Sequence, residues 1–264
     1  MSLPVKIPFI KASACGNDFL IVDAEHATAD IHELTRRLCD RHNGVGADGV
    51  EWLLPGGELD AAIRLINADG SEAEISGNGT RCVAAYLADI HGGTHFDIRT
   101  DAGVKSCELI SRQEHMFTFE TAMGSPKVDK PFALETSLAT VTGVPVSMGN
   151  PHYVIFVDAF PADWQALAAA IQKQPCFPAG VNVEFVHVLN ADLIDVLFFE
   201  RGAGETQSSG TGSCAAAVAS IFSGRVTSPV NVHAVGGTQS VRWENEQVVL
   251  RGPARLLCRG EFFA

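Results

Sequence analysis

A repeat limits this chain's fold more than any other feature. The segment "EISGNGTRCVAAYL" at residues 74–87 returns as "QSSGTGSCAAAVAS" at 207–220, with Ser76-Gly77 and Ser209-Gly210 set 133 positions apart. The same offset aligns Gly79 with Gly212, Glu72 with Glu205 and Ala84 with Ala217. It also aligns Gly16-Asn17 in "CGNDFLIVDA" with Gly149-Asn150 in "GNPHYVIFVDAF". Two anchors at one offset, near half of a 264-residue chain, predict two copies of one supersecondary unit. They argue against one continuous dinucleotide-binding sheet.

Each copy follows the same grammar. A β-rich stretch follows Gly-Asn, and a later strand ("AAIRLIN", "DVLFFE") runs into a glycine-containing loop ("ADGSEAE", "RGAGETQ"). Ser-Gly-x-Gly and a helix come next. Those helices are apolar around most of their circumference, which predicts burial on all sides rather than a surface amphipathic helix. A buried helix wrapped by strands in each half follows, so the fold class is α/β with two pseudo-symmetric domains. The expected domains are residues 1–121 with a last strand at 254–264, and residues 122–253. The stretch "MGSPKVDKPFALETS" lacks a clear period and reads as the linker, near residues 120–140. Asp48-Gly49 and Asp69-Gly70 read as turns.

Composition narrows the function. A net charge of −12 argues against nucleic acid, which is held by clustered Lys and Arg. No apolar run reaches the roughly 18 residues of a membrane span. Lys6 and Lys11 interrupt the first apolar run, so it makes a poor leader peptide. Seven cysteines, scattered and without a Cys-x-x-Cys pair, fit neither a disulfide framework nor a zinc site, and point to a reducing cytoplasm. The acidic pairs Asp48 with Glu51 and Glu72 with Glu74 form no metal-binding spacing, so no metal is expected.

Serine before the first glycine is a good helix cap, and glycine permits the tight turn. The two starts otherwise read as uncapped and glycine-lined, with backbone N–H donors and the positive ends of two helix dipoles. If the halves face each other, those ends form a receptor for a small carboxylate. The Gly-Lys-Ser/Thr of a nucleotide loop is absent. Ser76 and Ser209 would then stand on opposite faces of a bound molecule, the geometry that inversion at carbon needs. Neither loop places a histidine or lysine beside its serine to activate it.

At these residues the sequence resembles the diaminopimelate epimerase family. The resemblance rests on "KASACGNDFLIVD" at 11–23, "CDRHNGVGADG" at 39–49, "NADGSEAEISGNGTRC" at 67–82, "SMGNPH" at 147–152, "GVNVEF" at 180–185 and "ERGAGETQSSGTGSCAAA" at 200–217. It implies two pseudo-symmetric domains, each a β-barrel-like sheet around a central helix. It also implies a cofactor-independent isomerase that inverts an amino-acid α-carbon with two acid–base groups, a step of lysine and cell-wall precursor synthesis. By the same resemblance Asn17, Asn67, Asn150, Asn182, Glu200 and Arg201 contact the substrate. Gly77, Asn78, Gly210 and Thr211 supply donors at the helix ends, and His152 lies near the site. The implied partner is a small amino acid, with no nucleic acid and no membrane, and there is room for a homodimer.

The family carries its two acid–base cysteines where this chain has Ser76 and Ser209. Cys82 and Cys214 lie further along the helices and do not fill those places. Ala14 stands where glycine is usual, and Gly49 where several members carry a larger polar residue. A thiol ionises near pH 8.5, and a helix N-terminus lowers that further. If an alkyl hydroxyl is about five pKa units weaker, generating the base costs roughly 7 kcal/mol more, on the order of 10⁵-fold in rate. A helix dipole offsets about 0.3–2 kcal/mol of this. Three readings therefore stand: an epimerase slowed by its serines, an altered isomerase or lyase on the same scaffold, and an amino-acid binder without turnover.

Overall fold

A computed structural model of the chain describes residues 5–27 and 30–264. The reading of the chain start as lacking a leader rests partly on residues 1–4, which lie outside the described residues. The chain divides into two compact units, Met1–Thr121 with Gly252–Ala264, and Ala122–Arg251. Among the described residues, no helix is long and apolar enough to cross a membrane.

The first unit runs β1 (Lys6–Ala14), β2 (Asn17–Asp23), α1 (Ile31–Cys39), β3 (Gly49–Leu54), β4 (Ala61–Asn67) and β5 (Glu72–Ala73). It continues with α2 (Gly77–His91), β6 (His95–Thr100), β7 (Gly103–Gln113) and β8 (Met116–Gly124). Strands β2 and β3 are parallel, as are β4 and β6, while β1–β2, β3–β4, β6–β7 and β7–β8 are antiparallel. Each parallel pair is bridged by a helix, α1 in the first case and α2 in the second, as parallel crossovers require. The C-terminal strand β18 (Gln247–Phe263) pairs with β8 and, antiparallel, with β1, which closes the ring.

Helix α2 lies inside that ring. Its Cys82, Val83, Ala84, Ala85, Leu87 and Ala88 pack with Ala12, Ile21, Leu65, Ile98, Phe117 and Phe119. Small residues on the helix let the sheet close around it, and large ones on the strands fill the gap. Helix α1 covers the opposite face of β2–β4 with Leu34, Leu38 and Cys39. There the indole N–H of Trp52 donates to Thr35 Oγ1 at 2.9 Å, so a buried tryptophan keeps its hydrogen bond.

The second unit repeats this plan. It comprises β9 (Lys127–Val128), β10 (Phe132–Glu135), β11 (Thr140–Ser147), β12 (Pro151–Phe156), α3 (Trp164–Gln172), β13 (Asn182–Asn190) and β14 (Leu193–Glu200). Then come β15 (Gly204–Thr206), α4 (Gly210–Phe222), β16 (Val230–Ala234), β17 (Gly237–Glu244) and the first part of β18. The parallel pairs are β12–β13 and β14–β16, bridged by α3 and α4. Helix α4 buries Cys214 through Ala219 against Val144, Val154, Val196, Phe198, Val232 and Leu250. The duplication expected from the 133-residue offset is thus a duplication of topology.

Two local expectations are corrected. The stretch 120–140 is no linker: it holds β9 and β10, and Leu134 on β10 is buried. Strands that short carry too few residues to show a period. Gly49 is not in a turn but opens β3, where a Cβ would meet the Ile66 carbonyl oxygen at 2.9 Å. Gly70, by contrast, turns the chain with φ +86°.

Candidate active site

Both serines cap their helices. Ser76 is extended (φ −123°, ψ 121°) and its Oγ accepts the Gly79 N–H at 3.1 Å. Ser209 (φ −140°, ψ 132°) does the same with Gly212, also at 3.1 Å. The expectation of uncapped starts is therefore corrected: each hydroxyl satisfies one first-turn amide, a contribution of about 0.5–2 kcal/mol. The remaining first-turn amides lack acceptors within their own helices, so each end still favours an anion. Glycine is required at the third helical position. A Cβ on Gly79 would stand 1.9 Å from Glu51 Oε1, and one on Gly212 would stand 2.9 Å from both Phe198 Cδ1 and Ser209 Oγ.

In the first unit, Asn17 opens β2 just after a left-handed pair, Cys15 (φ 52°) and Gly16 (φ 78°). Its Nδ2 donates to Asp48 Oδ2 at 2.6 Å, and its Oδ1 accepts from Asn78 Nδ2 at 3.4 Å. Arg81, one turn along α2 and fully buried, donates to Asn78 Oδ1 and to the Pro253 carbonyl. Asp18 is bonded by Lys11 and Arg41. Although its burial works the other way, these two cations hold its carboxyl below the usual carboxylate range. Asn67 closes β4 and donates to Ser71 Oγ at 3.0 Å.

The second unit holds a longer chain of contacts. Asn150 Nδ2 donates to Thr211 Oγ1 at 3.3 Å, the counterpart of the Asn78–Asn17 contact. Asn150 Oδ1 accepts from His152 Nε2 at 3.0 Å, and His152 Nδ1 lies 2.7 Å from Glu184 Oε1. Because Asn150 Oδ1 can only accept, Nε2 carries a hydrogen, and one proton lies between Nδ1 and Glu184. Asn182 is committed to the backbone, donating to the Pro151 carbonyl at 3.0 Å and accepting the Arg201 N–H at 2.9 Å. The Arg201 guanidinium is exposed and donates to the Ala179 carbonyl.

Glu200 ends β14 and is hydrogen-bonded to Ser209. The serine hydroxyl donates to the carboxyl while its oxygen accepts from Gly212. Burial pushes the Glu200 carboxyl up, and the Ser209 hydrogen bond and nearby His152 pull it back. An assistant for Ser209 thus exists, contrary to the expectation from the loops. It comes from a strand end rather than from the loop itself.

Glu51 is a residue that sequence reasoning passed over. It lies on β3 beside Ile21 on β2 and Leu65 on β4, both in the α2 core, and it is fully buried. Neither of its carboxyl oxygens has a hydrogen-bond partner, and burial pushes its pKa up to about 8. Its counterpart Glu184 lies beside Val154 and Phe198 and has the His152 partner. The signal was present: Val50-Glu51 and Val183-Glu184 obey the 133-residue offset.

The model of the family described as diaminopimelate epimerase matches residues 9–128 and 144–257, which together take in both helix starts and all of these side chains. The chain belongs to the diaminopimelate epimerase family. A diaminopimelate epimerase of Pelotomaculum thermopropionicum is 40% identical, over 96% of this chain and 98% of its own. One from Moorella thermoacetica is 37% identical, again over 96% and 98%. In fold, the chain is similar to a hydroxyproline epimerase of Agrobacterium vitis with bound trans-4-hydroxy-L-proline. The TM-score is 0.75 at 18% identity, over 99% of this chain and 92% of that one. Diaminopimelate epimerase family members are isomerases, and the two-unit α/β fold is the one expected of them.

Proposed function

We propose that the protein is a cofactor-independent epimerase acting on diaminopimelate, converting the LL form to the meso form. In this reading Ser76 and Ser209 are its acid–base groups, one removing the α-proton and the other returning one. The observation that carries the reading is the Ser209–Glu200 hydrogen bond. A hydroxyl that only capped a helix needs no carboxyl on its other side. With Glu200 it has a group that can take its proton, the arrangement by which a weak alcohol becomes a base.

The anionic end of the amino acid suits the first-turn amides of α2 and α4. Asn17, Asn78, Asn150 and Thr211 border those ends. The mutual contacts of Asn17 with Asn78 and of Asn150 with Thr211 hold two side-chain amides in fixed directions. Arg201, exposed beside Glu200, suits the second carboxylate of a diaminopimelate. His152 orients Asn150. All seven cysteines are free thiols, which fits a reducing cytoplasm.

Titration calorimetry of the protein with diaminopimelate, lysine and proline tests the substrate class. Lysine keeps the amino-acid head and the chain but lacks the distal carboxylate, and proline lacks both the primary amine and the chain. Binding of diaminopimelate at least tenfold tighter than of lysine, with proline weaker still, supports the reading. Proline or lysine binding more tightly than diaminopimelate overturns it.

A further inference from the structure

The two serines are not equivalently supported. In the second unit Glu200 stands at the end of β14 against Ser209. The matching position at the end of β4 is Asn67, whose amide is turned to Ser71 rather than to Ser76. Glu184, the buried carboxyl of the second unit, is bonded to His152. The matching place on β2 holds Phe19, and so Glu51 has no such partner. What Glu51 does approach is the first turn of α2. One point in space, the Cβ that Gly79 lacks, is 1.9 Å from Glu51 Oε1 and 3.3 Å from Ser76 Cβ. Carboxyl and serine therefore flank the same glycine.

We propose that Glu51 is the proton-holding partner of Ser76, a positioning residue that acts through the serine hydroxyl as Glu200 does for Ser209. The inference rests on the two-base reading above. As Ser76 Oγ takes the substrate α-hydrogen, its own O–H bond breaks and that proton forms an O–H bond with Glu51. The electron pair of the broken C–H bond stays on the substrate carbanion, and the serine is again a neutral hydroxyl. No other reactant is needed.

A purely structural role fits poorly. Ile21 and Leu65 show that this part of the sheet takes aliphatic side chains, and an aliphatic residue would fill the space without stranding two oxygens. The titratable groups around Glu51 are few. Cys82 on α2 is buried, and Cys15 and Asp18 lie beyond it, Asp18 already held by Lys11 and Arg41.

The test places a titratable reporter at the serine. In Ser76→Cys, the thiol's ionisation is read from the pH dependence of its alkylation by iodoacetamide, located by peptide mapping. It is then read again with Glu51→Gln and with Glu51→Leu added. A carboxylate coupled to this position disfavours the thiolate, so both added changes should lower the alkylation midpoint by roughly half a pH unit or more. In the unmodified protein, Glu51→Gln should also lower α-hydrogen exchange about tenfold or more while leaving diaminopimelate affinity unchanged. An alkylation midpoint unmoved by both Gln and Leu overturns the proposal. Loss of diaminopimelate binding with the midpoint shift intact would instead overturn the substrate reading and leave the Glu51–Ser76 coupling standing.

Discussion

Glu200 at the end of β14 and Ser209 at the start of α4 are hydrogen-bonded to each other, so the serine is at once a helix cap and the donor to a carboxyl raised by burial. This pairing separates two functions that the sequence merges in one residue. Removing the hydroxyl removes both, whereas changing Glu200 removes only the second.

Ser209→Ala should therefore lower thermal stability by about 1 kcal/mol, while Glu200→Gln should leave the cap intact. On a protein of this size the cap loss corresponds to a fall in melting temperature of about 2–4 °C. Differential scanning calorimetry of both variants checks this. An equal fall for Glu200→Gln would mean that the Glu200–Ser209 contact, not the cap, holds the helix start.

Glu51 makes stability depend on pH in a defined direction. Its folded-state pKa of about 8 lies above the ordinary value of 4.5, so the folded protein binds a proton that the unfolded chain has lost. The favourable contribution is complete below about pH 4.5 and is lost as pH rises through about 8. The slope is at most about 1.4 kcal/mol per pH unit. Denaturant melts between pH 5 and 8 should show this decline flattened in Glu51→Gln, and Glu51→Leu should be more stable than the unmodified chain at pH 8. An unchanged slope in Glu51→Gln would place the pH dependence elsewhere.

Gly79→Ala should destabilise by about 1–3 kcal/mol, because the new methyl meets the Glu51 carboxyl. Combined with Glu51→Ala, which vacates that space, the loss should be less than the sum of the two single changes. A double-mutant cycle by urea unfolding measures the coupling. Strict additivity would mean that Gly79 is needed for backbone conformation alone.

Much of the frame was legible in the sequence. The apolar runs after Ser76 and Ser209 became α2 and α4, and the alternation in "AAIRLIN" and "DVLFFE" became β4 and β14. Helices α1 and α3 were passed over because nine residues give a weak period. Strands β9 and β10 were hidden for the same reason of length. At the site, the two caps followed from Ser-Gly-x-Gly alone, but the carboxyls did not. Glu200 reaches Ser209 from a different strand, and Glu51 looks like one polar residue in an otherwise apolar run, "VEWLL". Only the three-dimensional return of β3 and β14 to the helix starts shows what each carboxyl meets.

The account's central claim is that serines stand at the acid–base positions of an otherwise intact epimerase site. It is tested most directly by deuterium incorporation at the α-carbon of diaminopimelate in heavy water. The protein as it is should exchange slowly while still binding the amino acid, because an alcohol is ionised only at high cost even with a carboxyl beside it. Ser76→Cys combined with Ser209→Cys should raise exchange by several orders of magnitude, and either change alone should give little net inversion. Fast exchange by the unmodified chain, or no gain in the double variant, would contradict the claim.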